Sequence, residues 1–301
     1  MSRVRQRRQR KHRHERKVTP LYDWKELPAA VRDVVHDHLG PISETVPAAA
    51  MRSSSVAVTL RRDGRPSVFL KGVRGVSAAM RWLRNEAEIA PLLGGLAPEV
   101  LFQQDVGDWL VVGFAHVDGQ PAALGPESPD LPAVATAVNR IGAIEAPHLR
   151  SLADRWKTPW WPRLAARAEL SGALDVRRLA SWEEKAPELL TGSCLLHTDL
   201  HADQFLLGDD GGACVVDWGW PASGAPWVDP AFLVIRLVAA GHRPADAEAW
   251  ARAHTRWASA SPDSVTAFAA CVAGLWTGKA ATESLARTAR DYASWRLALT
   301  A

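Results

Sequence analysis

The sequence predicts an α+β chain in two lobes: a small antiparallel β-sheet lobe with one main helix, followed by a larger, mostly helical lobe. Three observations predict it. Strand-like runs in the first third follow the order strand, strand, helix, strand, strand. Beyond residue 113 apolar residues recur mostly at helical spacing. That helical half is interrupted between Cys194 and Gly219 by short apolar β-type runs that end in carboxylates. A chain of 301 residues, 47% hydrophobic and 23% charged, can bury a core large enough for one two-lobed domain or two small ones.

Taken in order, Asp23 to Leu39 reads as a helix, with Leu27, Val31, Val34, Val35 and Leu39 on one face and Gly40-Pro41 as its stop. Val56–Leu60 and Ser67–Lys71 read as strands, and Asp63-Gly64 between them is a hairpin signal. A helix over Ser77–Leu93 and strands over Val100–Gln103 and Trp109–Gly113 complete the small lobe. Phe114 to Pro121 reads as the connection between lobes, and the Pro/Gly/Ser-rich piece from Gly119 to Pro132 as linker or surface loop. Helical patterns then cover Leu131–Ala146, Leu149–Leu170, Trp182–Leu190, Pro230–Gly241 and Ala245–Ala258, with two more ending near Leu299. The expected division is a basic tail over 1–19, one lobe over 20–113 and the second over 114–301. Fourteen tryptophans against two tyrosines, many at helical spacing as at Trp250 and Trp257, are expected to pack the core.

Composition excludes several classes. Cys194, Cys214 and Cys271 are too few, and too apolar in context, for a disulfide framework, so a reducing cytoplasm is the expected compartment. The best apolar candidate, Val228 to Ala240, is shorter than the ~20 residues of a spanning helix and is broken by Arg236. No apolar secretory segment follows the basic N-terminus. Nine Lys and Arg against Glu15 give the first seventeen residues a charge of +8, so the rest carries −5 of the net +3. Nucleic acid or an anionic surface could therefore be met only through that tail, which otherwise reads as a solvated extension.

The chemistry concentrates in two segments. In His197-Thr198-Asp199-Leu200-His201-Ala202-Asp203-Gln204 and Val215-Val216-Asp217-Trp218-Gly219, carboxylates follow strand-like runs about a dozen residues apart. Such an arrangement can supply a base for a hydroxyl (Asp199), an amide oxygen for a divalent cation (Gln204) and a charged ligand for the same cation (Asp217). Together the motifs resemble those of the aminoglycoside phosphotransferase and choline kinase group of the protein-kinase-like superfamily. The resemblance implies an ATP- and Mg2+-dependent phosphotransferase that moves the γ-phosphate to a hydroxyl of a small molecule such as an aminoglycoside, choline or an amino-sugar. It implies that Asp199 is the base with His197 orienting its loop, that Gln204 and Asp217 hold the metal, and that Lys71 meets the phosphates with Glu86 holding the ammonium. Phe114, Ala115 and His116 would lie at the adenine, and Asp229, read from Asp229-Pro230 as a helix N-cap, would brace the loop.

Two departures from the pattern stand out. Gln204 replaces the usual Asn with a side chain one methylene longer. The phosphate-binding loop lacks the usual glycines and offers Ser53, Ser54 and Ser55 instead. A catalytically impaired, nucleotide-binding protein of the same fold is therefore the alternative. Two weaker rivals are a metal hydrolase using His197, Asp199, His201 and Asp203 as a ligand ladder, and a nucleotide loop at Gly274–Ala280. The residues leave the acceptor's identity and the oligomeric state open.

Overall fold

The computed structural model describes residues 22–48, 54–167, 170, 174–279 and 282–300. The basic tail and Ser53 lie outside the described residues. The chain opens with a 3-10 turn, Trp24–Glu26, and helix α1, Ala29–Leu39. The helix expected from Asp23 is thus two elements, because Pro28 cannot continue a helix from the preceding turn. Val31, Val35 and Leu39 form the buried face of α1.

A five-stranded antiparallel sheet follows, in the order β1-β2-β3-β5-β4. Its strands are β1 (Glu44–Pro47), β2 (Val56–Arg62), β3 (Arg65–Arg74), β4 (Val100–Val106) and β5 (Trp109–Ala115). β1 was not expected: its residues, Glu44-Thr45-Val46-Pro47, show no clean alternation and pair as an edge against Leu60 and its neighbours. The Asp63-Gly64 turn closes the β2–β3 hairpin, with Gly64 at φ +67°, a left-handed turn that favours glycine. α1 covers one face of the sheet through Val31, Val35 and Leu39. The other face is packed by α2, Ala78–Ile89, whose Leu83 and Ala87 meet Val73, Leu110, Val112 and Phe114. Ser77 caps α2 by accepting from the Met80 N–H at 3.2 Å.

β5 runs to Ala115, so Phe114 and Ala115, expected in the connection, are strand residues paired with Phe69 and Val68. The presumed surface loop contains β6, Gln120–Pro121, which pairs with the later strand β8. Helix α3 spans Leu131–Ile141. The single helix expected over Leu149–Leu170 is broken into α4 (Leu152–Arg155) and α5 (Trp161–Leu164), with Pro162 in the first turn of α5. α6 spans Val176–Leu189. The β-rich interruption comprises β7 (Cys194–Leu196), β8 (Phe205–Leu207), β9 (Ala213–Val215) and β10 (Ala222–Gly224). The chain ends with α7 (Val228–Ala239), α8 (Pro244–Arg252), α9 (Pro262–Gly278) and α10 (Glu283–Ala298).

The helical part surrounds one large core, in which α7 contributes Val228, Leu233, Val234, Ile235 and Leu237, each fully shielded from solvent. Each such side chain contributes roughly 1.5–3 kcal/mol of transfer free energy. α7 is therefore a fixed post against which the neighbouring loops are positioned. Gly274-Leu275-Trp276-Thr277-Gly278-Lys279 lies within and at the end of α9, which disposes of a nucleotide loop there. No described helix is long and apolar enough to cross a membrane.

Candidate active site

Three elements bring together the residues expected to meet phosphate and metal. Lys71 sits near the end of β3, between Ala57 of β2 and Val112 of β5, and is only 5% exposed. An ammonium at that depth needs counter-charge. It donates to both carboxylate oxygens of Glu86 on α2, at 2.9 and 3.0 Å, and also to Asp217 Oδ1. Glu86 Oε1 accepts in addition from the Asp217 N–H at 3.1 Å. Burial opposes the Lys71 charge, but the Glu86 and Asp217 carboxylates outweigh it and hold its pKa above the ordinary lysine value. For Asp217 burial likewise works against the charged form, and Lys71 reverses the balance, leaving the carboxyl below its ordinary range. Glu88, the other acidic residue of α2, is solvent-exposed.

A hairpin explains the dozen residues between Gln204 and Asp217. β8 pairs with β9 so that Phe205 faces Val215, leaving Gln204 just before one strand and Val216-Asp217 just after the other. The Val216 N–H donates to the Gln204 carbonyl at 3.0 Å, closing the end of the ladder. Gln204 is buried, and its side-chain Oε1 accepts from the His201 N–H at 3.1 Å. Trp218 anchors the segment in the core: its indole N–H donates to the Val215 carbonyl at 2.9 Å, and its ring lies 4.7 Å from that of His197.

The loop after β7 is braced from α7. Asp229, 2% exposed, accepts from the N–H groups of His197 (2.7 Å) and Thr198 (3.0 Å). It lies within the first turn of α7 rather than at the N-cap, which is Trp227. Sequence reading expected a cap because Asp-Pro is a helix-start signal. The carboxylate instead leaves its own helix to serve the loop. Burial pushes its carboxyl up, against the pull of His197 and the two donors. His197 is itself buried: Nδ1 accepts from the Asp199 N–H at 3.3 Å, so Nε2 carries the proton and donates to the Val216 carbonyl at 3.0 Å. Its role in the structure is to tie the two motifs together.

Asp199 projects beyond this frame, with its side chain half exposed, and meets Arg236 of α7 at 3.2 Å. Arg236 was noted in the sequence only as a break in an apolar run. A lone arginine inside a buried helix was the signal that it has a partner. His201 lies near Asp203, at 3.6 Å, and burial followed by the Arg236 charge holds its pKa down. Among the described residues no group of three or more His, Cys, Asp or Glu forms a metal cluster, so the ligand-ladder reading finds no support. Asp217 and Gln204 offer hard oxygen donors on adjoining backbone. That donor set suits a magnesium ion that takes one or two protein ligands and completes its shell from phosphates and water.

Other expected residues are placed differently. Ser55 is used by the sheet: its N–H donates to the Gly72 carbonyl, its hydroxyl accepts from the Arg74 N–H, and its carbonyl accepts from Tyr22. Ser54 is buried. Phe114 packs under the sheet with its ring centroid 5.6 Å from Lys71 Nζ. Ala115 ends β5. The His116 N–H donates to the Ser67 carbonyl, and its ring pairs with Asp118 at 3.3 Å. Sequence reading missed Trp82 and Asn85 of α2. Asn85 donates to the Gly219 carbonyl at 3.1 Å, and Trp82 lies against Trp220 at 4.8 Å. Trp82 lies four residues before Glu86 and three before Asn85, and that spacing was the available signal.

A sheet lobe that carries a buried lysine–glutamate pair, joined to a helical lobe that carries the two carboxylate motifs, defines a protein-kinase-like fold. The phosphotransferase enzyme family model matches residues 52–266, and the chain belongs to that family. That family is one of phosphotransferase enzymes. Aminoglycoside phosphotransferase APH(4)-Ia resembles it at 14% identity and a TM-score of 0.63, over 90% of this chain and 99% of that one. Choline kinase LicA from Streptococcus pneumoniae resembles it at 12% identity and 0.62, over 89% and 99%. An aminoglycoside phosphotransferase from Alicyclobacillus acidocaldarius does so at 14% identity and 0.58, over 91% and 93%. No curated protein sequence matches the chain.

Proposed function

We propose that the protein transfers the γ-phosphoryl group of ATP, with magnesium, to the hydroxyl of a small molecule. The observation that carries this reading is the convergence of Lys71, Glu86 and Asp217 from β3, α2 and the segment after β9. Bound Mg-ATP would supply the phosphoryl group and the cation that neutralises its developing charge. Lys71 would hold phosphate oxygens, kept in place by Glu86. Asp217 and Gln204 would hold the metal. Asp199 would orient the acceptor hydroxyl and take its proton, while His197 and Asp229 keep the loop fixed. A solved structure of similar fold supports the same reading: a thermostable mutant of APH(4)-Ia has been crystallised as a ternary complex with AMP-PNP and hygromycin B.

A second reading, nucleotide binding with impaired turnover, is favoured by one observation. The Gln204 oxygen proposed for the metal already accepts from His201. Calorimetric titration with AMP-PNP, with and without magnesium, tests the first step. Magnesium-dependent binding that is lost in Asp217→Ala is expected, and equal affinity in the variant would remove Asp217 from the metal. Asp199→Asn should keep nucleotide binding and lose transfer to the acceptor. Magnesium-dependent binding without ATP turnover in the unmodified protein would establish the second reading.

A further inference from the structure

Helix α7 meets the loop that carries Asp199 at two points. Asp229 and Arg236 are seven residues apart, close to two helical turns, and so lie on one face. Asp229 holds the backbone, accepting from the His197 and Thr198 N–H groups. Arg236 holds the side chain: its Nη2 donates to Asp199 Oδ1 at 3.2 Å. The guanidinium is itself seated over the Trp276 ring of α9, 4.8 Å from the centroid, and the helix beneath it is fixed by the fully shielded Val234, Ile235 and Leu237. Arg236 therefore has little freedom of its own, and its bond sets the rotation of the carboxylate. Because Oδ1 takes that bond, Oδ2 is left to meet an acceptor hydroxyl and receive its proton.

Stability does not account for this arginine. Its side chain is 17% exposed on a helix of otherwise apolar neighbours, and its Nε–H is buried without a hydrogen-bond partner. Burial draws its pKa down, against the pull of Asp199 and Asp203. The Asp199 side chain is 55% exposed, and an ion pair to so open a partner contributes little. Apolar replacement of buried ion-paired groups is often neutral or stabilising, and here the partner left behind is solvated. The pair fixes a direction rather than the fold. It also stands apart from Lys71, Glu86 and Asp217, to which Arg236 donates no hydrogen bond.

On the phosphotransferase reading, on which this depends, we propose that Arg236 is a positioning residue for the base, pinning Asp199 through Oδ1 so that Oδ2 is aimed at the acceptor hydroxyl. Without it, three staggered χ1 wells, each with a broad carboxylate torsion, leave roughly one arrangement in ten productive. Turnover should fall by that factor while nucleotide affinity and stability hold.

The test is magnesium-dependent ATP hydrolysis by the full chain at neutral pH, with water as the acceptor. Arg236→Met is expected to lower kcat about tenfold and to leave the KM for ATP and the calorimetric affinity for AMP-PNP within about twofold. Its urea midpoint should be unchanged or higher. Arg236→Lys should recover part of the rate, since an ammonium can still donate to Oδ1 but lacks the planar seat on Trp276. Added to Asp199→Asn, Arg236→Met should lower the residual rate no further, because it acts through the carboxylate. A parental kcat in Arg236→Met overturns the proposal, and so does a loss that persists in the Asp199→Asn background or that comes with a lowered urea midpoint. Weakened AMP-PNP binding would also overturn it, by placing the guanidinium on phosphate. Turnover that is lost in Asp199→Asn but kept in Arg236→Met removes the positioning role alone. No turnover by the unmodified protein removes the phosphotransferase reading, and the positioning role with it.

Discussion

Asp229→Asn isolates the brace beneath the loop that carries Asp199. The carboxylate accepts two backbone N–H groups, at 2.7 and 3.0 Å, from a position 2% exposed. Hydrogen bonds to a charged acceptor contribute roughly 1.5–3 kcal/mol each. An amide keeps one oxygen for one donor and turns its NH2 toward the other, leaving a buried N–H unsatisfied at a cost of about 1–3 kcal/mol. Removing a buried charge returns part of that loss. The net expectation is destabilisation by about 2–3 kcal/mol, a large share of a total of roughly 5–15 kcal/mol. Urea unfolding at neutral pH, followed by tryptophan fluorescence, measures it as a shift in midpoint at constant slope. In the folded variant the loop should lose its register, so phosphoryl transfer falls far more than nucleotide affinity, since a displacement of about 1 Å can cost ~10²-fold in rate. A variant within about 0.5 kcal/mol of the parent, with full turnover, would show that the two hydrogen bonds neither stabilise nor orient the loop.

Lys71→Met should leave Glu86 and Asp217 facing each other without a cation and lower stability by about 1–3 kcal/mol, discounted because Asp217 is a third exposed. The sign of the pH dependence follows from the shifts. The raised Lys71 pKa gives a contribution fully present below 10.5 and lost as pH rises through the higher folded value, whereas the lowered Asp217 pKa gives one present above 3.8 and lost as pH falls through the lower folded value. The gap in urea midpoint between parent and variant should therefore be flat through neutral pH and close at both extremes; a gap that changes between pH ~6 and ~8 would contradict the assignment. Cys214, whose thiol burial pushes from 9.0 up to about 11, should alkylate roughly fifty-fold more slowly at pH ~9 than a peptide thiol of ordinary pKa, as read by mass spectrometry of its labelled peptide. Gly219→Ala would place a Cβ 3.0 Å from Trp82 Cβ, so α2 must shift by a few tenths of an ångström. Because α2 carries Glu86, a raised KM for ATP with a stability loss of about 1 kcal/mol is expected, and an unchanged KM in steady-state kinetics would uncouple α2 from the site.

The motifs were legible because phosphate chemistry requires particular residue types at particular separations, and the β8–β9 hairpin converts a chain separation of twelve residues into adjacency at Val216 and Gln204. The hairpin of β2 and β3 was legible from Asp63-Gly64, and the main helix from its amphipathic run. What sequence could not give is contact across the chain. The Leu149–Leu170 stretch has helical periodicity, yet it breaks near Trp160 and Trp161, whose N–H groups turn to the buried Glu183 carboxylate at 2.9 Å each. That partner lies more than twenty residues away and leaves no local mark. Ser55 looked like a phosphate donor because serine can be one; its neighbours in the sheet, Gly72 and Arg74, decide otherwise. The contacts of Phe232 with Trp156 and Trp276 were equally hidden, since the three residues lie in separate segments and meet only in the fold.

Backbone strain and hydrogen bonding in the site obey one logic. Among the described residues three non-glycine residues have φ in the left-handed region, and two of them, Thr198 at 70° and Asp217 at 65°, belong to the two motifs. Each such conformation costs about 1–2 kcal/mol and persists only where its surroundings fix it. In both cases the fixing group is a carboxylate from another element that accepts the strained residue's own N–H. Asp229 of α7 holds Thr198 at 3.0 Å, and Glu86 of α2 holds Asp217 at 3.1 Å. A left-handed turn redirects the chain within one residue. At Thr198 it carries Asp199 out of the buried frame, and at Asp217 it brings the carboxylate to Lys71. Glu86 therefore has two duties, as counter-charge to the lysine and as clamp on the strained aspartate, and Asp229 repeats the second duty in the helical lobe. The two halves of the site are held by the same device, a carboxylate on a helix that stabilises a costly backbone turn in a neighbouring segment.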